Sequence, residues 1–198
     1  NGIMFTIEKW CEMNNFDLQD KTFIIQGFGN VGYHIAEKLQ QGGMRMVGVG
    51  DHTGYVTSNT EINISHLRGF LKKFPLSKYY QVKDQFIKSA ILEPVTKSEF
   101  FKTPCDIVIL AARELEITRE NAGDLNCKLV VEGANGPIDM AGDSIISEKN
   151  IPIIPDILAN SGGVQVSHYE YLQNQEKTMH SYKFVNKMLK EKMYSTTE

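Results

Sequence analysis

Thr22-Phe-Ile-Ile-Gln-Gly-Phe-Gly-Asn-Val-Gly-Tyr-His-Ile-Ala-Glu-Lys-Leu39 changes its pattern twice within one short run. An apolar stretch from Thr22 to Ile25 enters Gly27-x-Gly29-x-x-Gly32. Val31, Ile35, Ala36 and Leu39 then recur at helical spacing and give that segment one apolar face. Gly42-Gly43 stops it, and a second apolar run from Met46 to Gly50 ends at Asp51. Strand, glycine turn, helix, strand and acid in that order form the dinucleotide-binding pattern in the context it requires. Gly27 permits the tight turn, Gly29 lets backbone approach a pyrophosphate, and Gly32 lets helix and strand pack closely. The free N–H groups and the positive end of the helix then face the phosphates. Asp51, about 20 residues past the last glycine, stands where a carboxylate accepts the ribose hydroxyls. A competing reading makes Asp51 a turn former ahead of Thr53-Gly54. His52, next in the chain, joins it as a cofactor-binding candidate.

Outward from this stretch, the chain alternates. Ile3 to Met13 has a helical apolar period that Asn14-Asn15 ends. A helix capped by Ser65 is expected through Phe74, with Ile64, Leu67, Leu71 and Phe74 inward and Pro75 as its stop. Ala90 to Leu92 reads as a short strand and Ser98 to Phe101 as a helical turn. Cys105 to Leu110 is a continuous apolar strand of the kind covered on both faces of a parallel sheet. Leu129 to Val131 and Ile151 to Ile154 are further strands, with a helix from Met140 to Lys149 between them. The pattern predicts an α/β fold: a doubly wound, Rossmann-like, mostly parallel sheet in a single domain over residues 1–198. Asn30, Asp51, Ala111-Ala112, Asn135 and Asn160 each fall just past the carboxyl end of a predicted strand, the edge where open α/β sheets bind ligands.

Bulk properties exclude other classes. The 198 residues include 41% hydrophobic and 23% charged side chains and carry a net charge of −3. That is ordinary for a globular domain and leaves no basic footprint for nucleic acid. No apolar run approaches the roughly 20 residues of a membrane span. Cys11, Cys105 and Cys127 are widely spaced, which suits reduced thiols of an intracellular protein. No His, Cys or acidic residues have metal-ligand spacing, so no metal is expected.

Four blocks, Gly27-Phe-Gly-Asn-Val-Gly32, Cys105-Asp-Ile-Val-Ile-Leu-Ala-Ala112, Glu132-Gly-Ala-Asn-Gly-Pro137 and Pro155-Asp-Ile-Leu-Ala-Asn-Ser-Gly-Gly-Val-Gln-Val-Ser167, resemble the cofactor domain of glutamate dehydrogenases in order and approximate spacing. The resemblance covers nearly the whole chain. Leucine and phenylalanine dehydrogenases of the same superfamily share the glycine loop but usually lack the Glu-Gly-Ala-Asn-Gly-Pro block and the Val164 and Ser167 pair. The resemblance implies backbone contacts from Asn30 and Val31 to the pyrophosphate, Asp51 on the adenosine ribose, and Ala111 and Ala112 beside the nicotinamide ribose. It implies Asn135 and Asn160 at the nicotinamide and Val164 and Ser167 in the substrate pocket, with the Ser167 hydroxyl on the glutamate side chain. On the residues alone, Ser167 reads as a helix N-terminal position.

The resemblance also implies reversible oxidative deamination of glutamate to 2-oxoglutarate and ammonia, assembly as a hexamer, and a catalytic lysine and aspartate supplied by a separate, preceding domain. The Gly-Gly-x-Lys setting of that lysine is missing: Gly42-Gly43 leads to Met44-Arg45 and Gly162-Gly163 to Val164-Gln165. The chain therefore reads as a fragment of a longer enzyme, without catalytic residues of its own and inactive alone. Leu110, Ser161 and His168 depart from the family's usual proline, alanine and aromatic residue. They keep open a non-catalytic nucleotide-binding or regulatory module, or a dehydrogenase for another amino acid. NAD is favoured as cofactor, because Asp51 repels a 2′-phosphate and His52 to Val56 contains no Arg or Lys to hold one. NADP stays open, since NADP-using relatives also carry an acid there.

Overall fold

The computed structural model describes residues 1–79 and 92–197. Helix α1 (Gly2–Asn14) ends at Asn15, whose left-handed backbone (φ 50°) turns the chain toward strand β1 (Thr22–Gln26). The glycine turn leads into α2 (Asn30–Gln41), and Gly43 at φ 92° redirects the chain into β2 (Arg45–Asp51). Strand β3 (Gly54–Thr57) and helix α3 (Ile64–Leu71) follow. Next come β4 (Glu93–Val95), α4 (Lys97–Lys102), β5 (Ile107–Leu110) and β6 (Leu129–Glu132). Helix α5 (Met140–Glu148), strand β7 (Ile153–Ile154) and helices α6 (Asp156–Ala159), α7 (Ser161–Glu176) and α8 (Tyr182–Thr197) complete the described chain.

The strands form one sheet in the order β4-β3-β2-β1-β5-β6-β7. β2, β1, β5, β6 and β7 run parallel, while β3 and β4 pair antiparallel at one edge. This is the doubly wound α/β sheet that the alternation predicts. Its chain order reverses beside β1, with β2 on one side and β5 on the other, so a crevice opens at their carboxyl ends. The strands end in step there: Gln26 is level with Gly50 and Leu110, and Leu110 with Glu132. Both faces are apolar. Ile25, Ile35, Leu39, Val49 and Ile109 belong to one buried cluster and Ile24, Phe100, Val108 and Val130 to the other.

Several expectations are corrected. Asn63, not Ser65, caps α3: Asn63 Oδ1 accepts from the His66 N–H at 2.9 Å and from the Ser65 hydroxyl at 2.8 Å. The helix ends at Leu71, short of Phe74. The turn after Asp51 opens a hairpin into β3, and β4 lies just beyond the expected strand, whose Ala90 and Ile91 fall outside the described residues. β7 pairs over Ile153–Ile154 alone, because Pro152 has no N–H to give the ladder. Val31, expected on the buried face of α2, is 49% exposed, and Gly32 takes the place against β1.

That contact is close. A Cβ on Gly32 would overlap the carbonyl oxygen of Gly27, and one on Gly27 would overlap the backbone of Ala111 and Ala112, whereas one on Gly29 would meet nothing within 4 Å. Gly32→Ala is therefore expected to lower stability by about 3 kcal/mol, the cost of forcing a methyl into packed backbone. Gly29→Val should stay within about 0.5 kcal/mol of the parent. Urea unfolding of the two variants, read side by side, checks the pair.

Candidate functional site

Two cavities flank the glycine turn at the carboxyl rim of the sheet. The first, about 460 Å³, is lined by Gly27, Phe28, Gly29, Asp51, His52, Ala111 and Ala112 together with Gln26, Tyr55, Arg113 and Glu116. The second, about 310 Å³, is lined by Asn30, Val31 and Asn160, with Gly133, Gly162, Gly163 and the first turn of α1. The N-terminus of α2 lies between them, at the turn both cavities touch. Its free amide groups and the positive end of its dipole make that junction receptive to an anion.

Asp51 shapes the hairpin turn. Its Oδ1 accepts from the Thr53 N–H and the Thr53 hydroxyl, each at 2.6 Å, and from the Gly54 N–H at 3.2 Å. All three bonds fall on one oxygen, so the turn orients a carboxylate whose Oδ2 takes no part in them. Turn former and ligand are compatible roles on the two oxygens.

Asn135 and Asn160 come together although 25 residues separate them: Asn160 Nδ2 donates to Asn135 Oδ1 at 2.6 Å. Asn160 does not follow β7 directly, because α6 intervenes. The loop carrying Asn135 is tied from below. The Gly136 N–H donates to Asp156 Oδ2 at 2.8 Å, and the Asp156 N–H donates to Glu132 Oε2 at 2.9 Å. Burial pushes the Glu132 carboxyl up. The Asp156 N–H opposes that rise, the charges of Asp156 and Asp143 add to it, and the carboxyl ends above the ordinary range.

Val164 and Ser167 border neither cavity. They lie three residues apart on α7, Val164 71% exposed and Ser167 exposed, facing away from the packed side of the helix. Ser167 is the seventh residue of α7, so it is not a helix N-terminal residue.

Side chains beyond the predicted set also border the site. Glu116 is buried and held by Lys97 Nζ at 2.6 Å and Arg113 Nε at 3.3 Å. Burial pushes its carboxyl up, but the hydrogen bonds from Lys97 and Gln26 and the charges of Lys97 and Arg113 outweigh this and hold it below the ordinary range. Arg113 brings to the first cavity a cation that the segment after Asp51 lacks. Arg68 stacks over the Tyr33 ring, 3.4 Å from its centroid, and with Lys72 borders the outer side of Phe28, Gly29 and Asn30. Arg113 and Glu116 carry opposite charges three residues apart just past β5, and that spacing was the available sign of a local pair. Nothing in the sequence signals that Lys97 reaches the same carboxylate. Among the described residues, no group of three or more His, Cys, Asp or Glu side chains is placed to hold a metal ion, and no helix is long and apolar enough to cross a membrane.

The family model for glutamate/leucine/phenylalanine/valine dehydrogenases matches residues 1–198. The chain belongs to that family. It is 32% identical over 194 residues to the NAD-specific glutamate dehydrogenase of Staphylococcus aureus, covering 97% of this chain and 44% of that protein. Plasmodium falciparum glutamate dehydrogenase 2 superposes with a TM-score of 0.83 at 26% identity, over 98% of this chain and 43% of that one. The hetero-hexameric glutamate dehydrogenase of Thermus thermophilus in its Leu-bound form shares the fold, with a TM-score of 0.81 at 22% identity over 99% of this chain and 44% of that one. The chain thus spans less than half the length of these family members, and its fold is that of the corresponding part of a glutamate dehydrogenase.

The buried Glu132 carboxyl gives a test of the rim. A carboxyl held above its ordinary range contributes stability that is present below its unfolded pKa and lost as pH rises through its folded one. Glu132→Gln keeps an acceptor for the Asp156 N–H and removes the charge. Its melting temperature should match the parent near pH 4 and exceed it at pH 8, measured by thermal unfolding across that range.

Proposed function

We propose that this chain is the NAD-binding part of a glutamate dehydrogenase, and that the whole protein converts glutamate reversibly to 2-oxoglutarate and ammonia. The observation that carries the reading is the open space before Gly29, set between two backbone contacts at Gly27 and Gly32 that tolerate no side chain. A turn built only for packing has no need of that gap; a pyrophosphate lying on the α2 N-terminus does. The residues suit the remaining parts of a dinucleotide as well. The first cavity offers the Asp51 carboxylate. The second offers the Asn160 amide. The names of the 32% identical relatives, NAD-specific glutamate dehydrogenases, support both cofactor and substrate.

In this reading NAD supplies the acceptor for the hydride leaving the Cα of glutamate. The chain's own residues bind and orient. The Asn30 and Val31 amides meet the diphosphate, and Asp51 accepts from the adenosine ribose hydroxyls, with His52 beside it. Ala111 and Ala112 pack along the cofactor. Asn135 and Asn160 hold the carboxamide end and so set which face of the ring meets the substrate. Val164 and the Ser167 hydroxyl face the glutamate side chain from the open side of α7, where a preceding substrate domain closes over them. That domain contributes the lysine and aspartate that move protons at the amine. The segment 1–198 is accordingly one dinucleotide-binding domain, which binds cofactor and does not turn over by itself. Assembly as a hexamer follows by likeness to its relatives, one of which is described as hetero-hexameric. An intracellular setting fits the three free thiols, of which burial pushes Cys11 and Cys127 up to about 11.

Fluorescence titration of the 198-residue chain with NADH and NADPH tests the reading. NADH is expected to bind the more tightly. Asp51→Ala should weaken NADH by about tenfold, the worth of one hydrogen bond to a charged group, and Gly29→Val should abolish binding while leaving the fold intact. Wild-type affinity in both variants would remove the proposed site. Glutamate oxidation by the chain alone would overturn the division of labour between domains. In the whole protein, Ser167→Ala should raise the KM for glutamate by about tenfold with NADH affinity unchanged, as loss of a substrate hydrogen bond requires.

A further inference from the structure

Asp156 opens α6, half-buried, and its backbone and side chain hold two different loops. Its carbonyl accepts from the Asn160 N–H at 2.9 Å, across the single turn of α6. Its Oδ2 accepts at 2.8 Å from the N–H of Gly136, the neighbour of Asn135, and its Oδ1 from the Ile157 N–H at 2.5 Å. The Asn160 side chain then closes onto Asn135 at 2.6 Å. Asn135, Gly136, Asp156 and Asn160 thus form a closed ring through three hydrogen bonds, with Asp156 as its hub. Glu132, at the end of β6, holds the Asp156 N–H and keeps that hub in place.

The other fastenings of the Asn135 loop lead elsewhere. The Leu115 N–H donates to the Gly136 carbonyl at 2.9 Å and the Glu116 N–H to the Pro137 carbonyl at 2.8 Å, while the Gly133 and Ala134 N–H groups reach the Leu110 carbonyl. Those bonds fix the loop to β5 and to the segment after it, and none of them reaches α6. Its position relative to Asn160 is set by the Asp156 carboxylate and by the amide pair itself. A hydrogen bond to a carboxylate is roughly twice as strong as one between neutral groups, so the carboxylate is the stronger tie. Two exposed amides left to find each other would lose rotamer freedom in doing so. With their backbones already held, they meet aligned.

We propose that Asp156 is a positioning residue of the cofactor site, holding the Asn135 and Asn160 amides in the arrangement that meets the nicotinamide carboxamide. Its own carboxylate is engaged by Gly136 and Ile157, so it acts on the cofactor only through those two side chains. The proposal rests on the cofactor reading, which sets Asn135 and Asn160 at that end, and fails separately from it.

The test separates the two ends of the dinucleotide. Calorimetric titrations of the 198-residue chain compare NADH with ADP-ribose, which lacks the nicotinamide ring. Wild type should bind NADH about tenfold more tightly, the worth of one net hydrogen bond to the carboxamide. Asp156→Ala should bind the two within about twofold, with its affinity for ADP-ribose that of wild type. Asp156→Asn keeps an oxygen for the Gly136 N–H and should retain a preference of about fivefold, the weaker grip of a neutral acceptor. If the alanine variant does not fold, Asp156→Ser, too short to span to Gly136, takes its place with the same expectation. Equal weakening of both ligands by the alanine variant overturns the proposal, because the carboxylate then supports the fold and not the amide pair. An undiminished preference for NADH in that variant overturns it too, since the asparagines then hold their places unaided. An asparagine variant as poor as alanine also overturns it, by assigning the effect to charge and not to the bond with Gly136. Wild type binding ADP-ribose as tightly as NADH overturns it while leaving the diphosphate site in place. Failure of wild type to bind either ligand removes the cofactor reading and the proposal with it.

Discussion

Everything at the rim depends on how near α2 comes to β1. Two side chains are omitted to allow it, at Gly27 against the backbone of Ala111 and Ala112 and at Gly32 against the Gly27 carbonyl. With those contacts in place the helix starts directly above the crevice between β1 and β5, and its unpaired amide groups face outward at the point where the chain order of the sheet reverses. A helix standing off by one methyl group would turn those amides away from the junction of the two cavities.

The loops around this junction are fastened through backbone. The Gly27 N–H reaches the Gly50 carbonyl at 2.7 Å, the Ala111 N–H the Gln26 carbonyl at 2.7 Å, and the Gly133 and Ala134 N–H groups the Leu110 carbonyl at 2.8 Å. The parallel ladder thus continues one residue past the strand ends, and the site sits on this hydrogen-bonded rim. Carboxylates extend this fastening to places the ladder does not reach, through Asp51 under its own turn and Glu132 and Asp156 under the Asn135 loop. The α7 face with Val164 and Ser167 has no such cover among the described residues. Preorganisation of this kind lowers the entropy lost on binding and favours one ligand pose.

The parallel core was legible because its information is local. Gly27-x-Gly29-x-x-Gly32 between two apolar runs specifies strand, turn and helix within one segment, and Asp51 follows at a spacing set by the same unit. The antiparallel edge was not. Gly54 to Thr57 has no sustained alternation, and its pairing with Glu93 to Val95 joins segments far apart in sequence. Asn63 beat Ser65 to the cap of α3 through one hydrogen bond that either residue type could make. Within the site, residues belonging to the glycine motif were visible one by one. Lys97, Arg113 and Glu116 were not, since a lone acid and two cations acquire meaning only when folding brings them around the Gln26 amide.

The Asn135 and Asn160 amides are bonded to each other across 25 residues of chain. The bond engages one Asn160 hydrogen and the Asn135 oxygen, and leaves the Asn135 amide hydrogens and the Asn160 oxygen outside it. Each side chain thereby fixes which end of the other turns outward, so two loops distant in the chain present one donor and one acceptor side by side in a set order.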